Sequence, residues 1–205
     1  MKTLYESILD VDKTLSDAND AAYEAAHPKT KQQLRDTLKQ ILRNDPNADL
    51  NWIDVSTITD MSGLFRGLDP GNIDISEWDV SNVTDMSKLF YCCGDFNSDL
   101  SKWDVSKVNN MEDMFGDCCN FNSDLSKWNV SKVTDIACMF YGCRKFNSDL
   151  SKWNVSKVTD MNCMFWGCYK FNSDLSKWNV SKVNHMSNVF GNCKSLKKIP
   201  DWYKV

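Results

Sequence analysis

A block of 25 residues recurs nearly verbatim along most of this 205-residue chain, and a tryptophan marks each copy: Trp78, Trp103, Trp128, Trp153 and Trp178. A fixed period of this length is the signature of a repeat array or solenoid, in which each unit buries its apolar side against the units before and after it. The period constrains the architecture strongly and the ligand hardly at all.

Within one copy the apolar positions are Phe146, Leu150, Trp153, Val155, Val158, Met161, Met164, Phe165 and Cys168. Trp153 and Val155 are two apart, the spacing of one face of a strand. Met161, Met164, Phe165 and Cys168 stand at i, i+3, i+4 and i+7, the spacing of one face of a helix. The order Leu150, Trp153, Val155, Val158 resembles the LxxLxLxxN core of leucine-rich repeats. These readings predict an α/β fold: a leucine-rich-repeat-like solenoid of 25-residue strand-helix coils, with a parallel sheet on the concave side and an N-terminal helical cap.

The cap is read over residues 1–46. Leu4, Ile8, Val11 and Leu15 recur at three to four residues, and the Ala-rich DANDAAYEAAH comes next. Pro28 is expected to open a further helix whose Leu34, Leu38, Ile41 and Leu42 form one stripe, ended by Pro46. Residues 47–196 then hold about five coils, the first degenerate. Residues 197–205 close the array, with Leu196, Ile199 and Trp202 over the last open face and Lys197, Lys198 and Lys204 outside.

An apolar content of 42% fits a folded soluble chain, and a net charge of −4 argues against a general nucleic-acid binder. No stretch is long enough to span a membrane, and the opening MKTLYESILDVDKTLSD lacks the apolar run of a secretory signal, so the sequence as it stands predicts a cytoplasmic protein. Nine cysteines, an odd number, are expected to be reduced thiols there.

Groups that recur in every coil hold a stack together more readily than they react, because a catalytic constellation is a single arrangement of unlike groups. The only histidines are His27 and His185, and no nucleophile set, GxGxxG or phosphate-binding loop occurs. No enzyme activity, cofactor or metal is expected. The ladder Cys93, Cys118, Cys143, Cys168 and Cys193 reads as buried packing, whereas Cys138 and Cys163 are the exposed thiols on which a redox role would rest. Asn97, Asn122, Asn147 and Asn172 read as amides bonded to the backbone of the next coil.

Two surfaces are candidates for a protein partner. On the helical edge the repeat varies, placing Tyr91, Tyr141, Arg144, Trp166 and Tyr169 where exposed aromatics and Arg anchor partners. On the concave face, Lys102, Lys127, Lys152 and Lys177 accompany Asp104, Asn129, Asn154 and Asn179 in charged and polar columns. The helical cap and the closing Trp202 predict a monomer, and the absence of a long apolar stretch and the acidic balance predict neither membrane insertion nor a nucleic-acid partner.

The unit WNVSKVTDMxxMFxGCxxFNxDLSK, recurring over residues 52–196, resembles the bacterial surface-protein 26-residue repeat family, a relative of the BspA-like leucine-rich repeats. The resemblance implies a cell-surface or virion-surface protein that binds other proteins or host surfaces. The opening MKTLYESILD also resembles the starts of some proteins of gut bacteria and their phages. The function expected is a non-enzymatic protein-interaction module, bacterial or phage, with a self-assembling structural or coat protein as the alternative.

Overall fold

The computed structural model describes residues 19–204. It opens with α1 over residues 19–26 and α2 over Lys31–Asn44. Leu4, Ile8, Val11 and Leu15, assigned to the first cap helix, lie outside the described residues. α2 starts after Thr30 rather than at Pro28. The Thr30 hydroxyl accepts the Gln33 N–H at 3.2 Å, and the Gln33 side chain takes the Thr30 N–H at 3.1 Å, so two amides left over by the first turn are satisfied together. Leu34, Leu38 and Leu42 form its buried stripe.

The repeats do not form the expected strand-helix solenoid. Beyond α2 the described residues contain no helix and no sheet; β pairing is reduced to isolated parallel bridges, Asp49 to Asp74 and, in a second row, Asp60 to Asp85, Asp85 to Asn110, Asn110 to Asp135, Asp135 to Asp160 and Asp160 to His185. The apolar positions point inward as expected, yet each coil is made of tight turns. Trp103 donates its N–H to Leu100, Val108 to Val105, Met114 to Met111, Cys118 to Phe115 and Phe121 to Cys118, all at 2.9–3.2 Å. A spacing of three therefore marks the two ends of a four-residue turn. The same spacing is one arc of a helix, which is why Met161, Met164, Phe165 and Cys168 read as helical.

Backbone handedness separates the two cases. A helix needs consecutive right-handed residues, but each coil holds left-handed residues four apart: Lys88 and Cys92 (φ 57° and 63°), Asp113 and Asp117 (54° and 59°), Cys138 and Gly142 (54° and 70°), Cys163 and Gly167 (53° and 76°). These residues turn alternate N–H groups toward the next coil. Met111, Asp113, Phe115 and Asp117 donate to the carbonyls of Asp135, Ala137, Met139 and Tyr141 at 2.9, 2.8, 2.9 and 2.6 Å. A single reverse bond, from Thr134 N–H to the Asn109 carbonyl at 2.9 Å, starts this run. Along it, one edge of a coil consists of carbonyls and the other of amides.

Side chains complete the stack. Phe90, Phe115, Phe140 and Phe165 lie ring on ring at 5.6–5.7 Å, and Phe96, Phe121, Phe146 and Phe171 form a second row at 5.9–6.1 Å. Each such pair adds about 0.5–1.5 kcal/mol to simple burial. Trp103, Trp128, Trp153 and Trp178 are almost wholly buried, and each indole N–H reaches a carbonyl of the coil before, on Ile75, Leu100, Leu125 and Leu150, at 2.9–3.1 Å. Asn122, Asn147 and Asn172 are tied in backbone form, their N–H groups donating to the side-chain oxygens of Asn97, Asn122 and Asn147.

The stack has two different ends. At the first coil the outward carbonyls of Ser62, Leu64 and Arg66 have no preceding coil, and α2 covers them with cations. Lys31 donates to the Ser62 carbonyl at 3.3 Å, and Arg35 donates to the Leu64 carbonyl and, at 2.6 Å, to that of Arg66. At the last coil Trp202 takes the place of the next tryptophan, stacking on Trp178 at 6.3 Å and donating to the Leu175 carbonyl at 2.8 Å.

Candidate functional site

The residues assigned to a helical edge are not on a helix. They lie on two columns of the turn ladder, three residues apart, and the structure gathers most of them into one ledge. Tyr141 and Trp166, one coil apart, stack with centroids 4.8 Å apart and planes 8° from parallel. Trp166 leans on across the next coil and covers Gly191, where a Cβ would lie 2.8 Å from its Nε1 and closer still to its Cδ1. Beside them Tyr169 sits between two cations, with the Arg144 guanidinium 6.0 Å and the Lys194 ammonium 4.6 Å from its ring centre. Tyr91 stands apart: its ring covers Gly116, and Arg66 lies 5.6 Å above it.

All four of these aromatics are half-buried. Tyr141 and Trp166 are held by stacking on each other, Tyr91 and Tyr169 by neighbouring cations, and all four stay partly accessible. A cation over an exposed ring is worth about 0.5–1 kcal/mol, enough to bias Arg144 and Lys194 toward Tyr169 but not to lock them. Gly116 and Gly191 share the variable position of Tyr91, Tyr141 and Trp166 in the repeat, and the structure adds Arg66 and Lys194 to this surface. A signal for all four exists, since Arg66 and Gly116 are each one period from Tyr91, Gly191 is one period from Trp166 and Lys194 one period from Tyr169.

The concave-face assignment falls with the sheet, because no sheet face exists among the described residues. Lys102, Lys127, Lys152 and Lys177 do form an exposed column, in which Lys102 pairs with Glu77. Such an exposed pair is screened by solvent and salt and adds little to stability. Asp104, Asn129, Asn154 and Asn179 are committed locally: each side-chain oxygen accepts the N–H of the serine two residues on, Ser106, Ser131, Ser156 and Ser181, at 2.9–3.2 Å. These are turn-forming bonds. The Ser106 hydroxyl and N–H also hold the Asp104 carboxyl below its usual range.

A more unusual electrostatic feature runs beside the bridges. Burial raises the Asp113 carboxyl, and the charge of Glu112 adds to the effect; burial likewise raises Asp135. Lys88 pairs with Glu112 at 2.9 Å and relieves part of this.

The ladder thiols are packing groups that also bond. Cys118, Cys143 and Cys168 are buried and point their Sγ at the carbonyls of Phe90, Phe115 and Phe140 at 2.9–3.0 Å. Burial pushes all three well above the ordinary thiol range, and pushes Cys93 and Cys193 up to about 12. Cys138 and Cys163 are half-buried rather than exposed, and burial carries Cys138 to about 12 as well. Among the described residues no group of three or more His, Cys, Asp or Glu is placed to hold a metal ion, and no helix is long and apolar enough to cross a membrane.

A family model described as "Mycoplasma protein of unknown function, DUF285" matches residues 33–137 and 120–204. The match covers most of α2 and the whole stack of coils. No curated protein and no solved structure matches the chain.

Proposed function

We propose that this chain, which belongs to the DUF285 family, is a non-enzymatic protein-binding module that works through the ledge formed by Tyr141, Arg144, Trp166 and Tyr169. The observation that carries the reading is the Tyr141–Trp166 stack on its glycine seat. Trp, Tyr and Arg dominate the energetics of protein interfaces. Rings that are already stacked lose little rotamer freedom when a partner covers them, so more of the contact energy appears as affinity. The repeat is most uniform where it is internally bonded and departs from uniformity here.

The partner is a protein, and the setting is a bacterial or phage surface, in keeping with the resemblance of the repeat to bacterial surface proteins. The alternative, a coat protein that assembles end to end, is disfavoured by Lys31 and Arg35, which occupy the carbonyl edge that a second copy would need.

Capture from host and bacterial lysates by the intact protein, beside a Tyr141→Ala/Trp166→Ala/Tyr169→Ala variant of unchanged circular dichroism, tests the reading. Capture by the intact protein alone, insensitive to salt, is expected. Equal capture by both would move binding to the lysine column, and concentration-dependent assembly in sedimentation would favour the coat protein.

A further inference from the structure

The last coil ends in a row of backbone donors. In the four coils before it the amides equivalent to Met186, Asn188, Phe190 and Asn192 are all consumed by the next coil, as Met161, Cys163, Phe165 and Gly167 are by His185, Ser187, Val189 and Gly191 at 2.7–2.9 Å. Among the described residues these four N–H groups meet no acceptor. Trp202 and Tyr203 cover the tryptophan and phenylalanine rows of this end, at 6.3 Å from Trp178 and 5.3 Å from Phe190. They leave Asn188 and Asn192 exposed and Met186 half-exposed.

We infer that this amide edge is a docking site for an acidic, extended peptide segment of a partner protein, added as one more rung to the ladder. Donors at every second residue match an extended peptide, whose carbonyls face one side at the same period. Aligned N–H groups also carry partial positive charge and favour anionic partners. The surrounding charge agrees: residues 182–204 contain Lys182, Lys194, Lys197, Lys198 and Lys204 against a single acid, Asp201, in a chain whose net charge is −4. Ile199, 51% exposed, and half-buried Leu196 offer the apolar contacts that alternate side chains of such a strand would take.

A second copy does not fit. Two amide edges face each other donor to donor, and the carbonyl edge is already taken by Lys31 and Arg35. The site is separate from the aromatic ledge, and its test is independent of that reading.

The test titrates uniformly ¹⁵N-labelled protein with a synthetic Glu-Val octapeptide, its Lys-Val counterpart, and a short oligothymidylate. Saturable shifts confined to the amides of Met186, Asn188, Phe190 and Asn192 are expected with the acidic peptide only. An Asn188→Asp/Asn192→Asp variant places carboxylates beside the row and is expected to bind at least tenfold more weakly. Its backbone is safe, because Asp113 and Asp117 occupy the same two positions at φ 54° and 59°, as Asn188 and Asn192 do. Absence of saturation, equal affinity in the variant, shifts spread along Lys102, Lys127, Lys152 and Lys177, or tighter binding of the oligothymidylate would each overturn the proposal.

Discussion

Trp166 rests on Gly191 so closely that the missing Cβ is a condition of its position: a methyl there would fall 2.8 Å from the indole Nε1 and nearer still to Cδ1. Gly191 does not adopt a left-handed backbone, so alanine is excluded by the ring and not by the chain. Gly191→Ala is therefore expected to lift Trp166 off the ledge and weaken stacking on Tyr141. Stability should change by only about 0.5 kcal/mol, as for most surface substitutions. Nuclear Overhauser contacts between the two rings report the displacement, and unchanged contacts would refute it.

Arg35 replaces a missing coil. Removing its guanidinium strands the carbonyls of Leu64 and Arg66, each of which loses a charged hydrogen bond worth about 1.5–3 kcal/mol. Arg35→Ala is expected to cost roughly 3 kcal/mol in urea unfolding, with faster amide exchange concentrated in the first coil. Arg35→Lys should restore only part of this, since one ammonium does not reproduce the two-pronged contact. A loss spread evenly along the stack would contradict the assignment.

The thiols should divide by position. Only the thiolate reacts, so burial that raises Cys118, Cys143 and Cys168 slows alkylation twice, through access and through ionisation. At about pH 8, near the ordinary thiol range, iodoacetamide is expected to modify exposed Cys92 first, with those three modified only on unfolding. Mass spectrometry of peptides gives the order directly.

Asp113 bears a charge in a place that disfavours it. Its folded pKa lies above the unfolded value, so the ionised form costs stability at neutral pH, and the cost fades as pH falls through the folded value. Asp113→Asn should therefore raise the urea midpoint at about pH 7, and the gain should vanish below about pH 3, where the carboxyl is protonated in both the folded and the unfolded chain. Asn188 already holds the same left-handed position at φ 54°. Asp124, Asp149 and Asp174 have the opposite sign. The N–H groups of Ser126, Ser151 and Ser176 lower them, so their contribution is present above the unfolded pKa and is lost as pH falls through the folded one.

The inward face of the repeat was legible because burial follows from residue type and period together: the recurring apolar positions Phe146, Leu150, Trp153, Val155, Val158, Met161, Met164, Phe165 and Cys168 are all buried. Its path was not, because a spacing of three to four residues fits a helical arc and a pair of consecutive turns equally well. The clue that separates them is weak in any single coil. Lys88, Cys138 and Cys163 do not advertise a left-handed backbone, whereas Gly63, Gly67, Asp113, Asp117, Asn188 and Asn192 at the same register positions do. Aligning coils to ask which positions tolerate Gly, Asn and Asp exposes the turns. At the candidate site, Trp166 and Tyr169 stand out by their departure from the repeat. Their contacts with Gly191 and Lys194 follow only from the period, because each partner belongs to the neighbouring coil. The amides at the far end carry no side-chain signature at all.

Because the laddered side chains, such as Trp128, Asn122 and Cys143, bond one coil away and no further, nothing in the middle of the stack records how many coils there are. A gain or loss of 25 residues, one full period, would leave both termini of the array chemically unaltered. Length is thus an inherited dial: recombination between near-identical copies can move the aromatic ledge nearer to or farther from either end, in whole-coil steps, without designing a new fold.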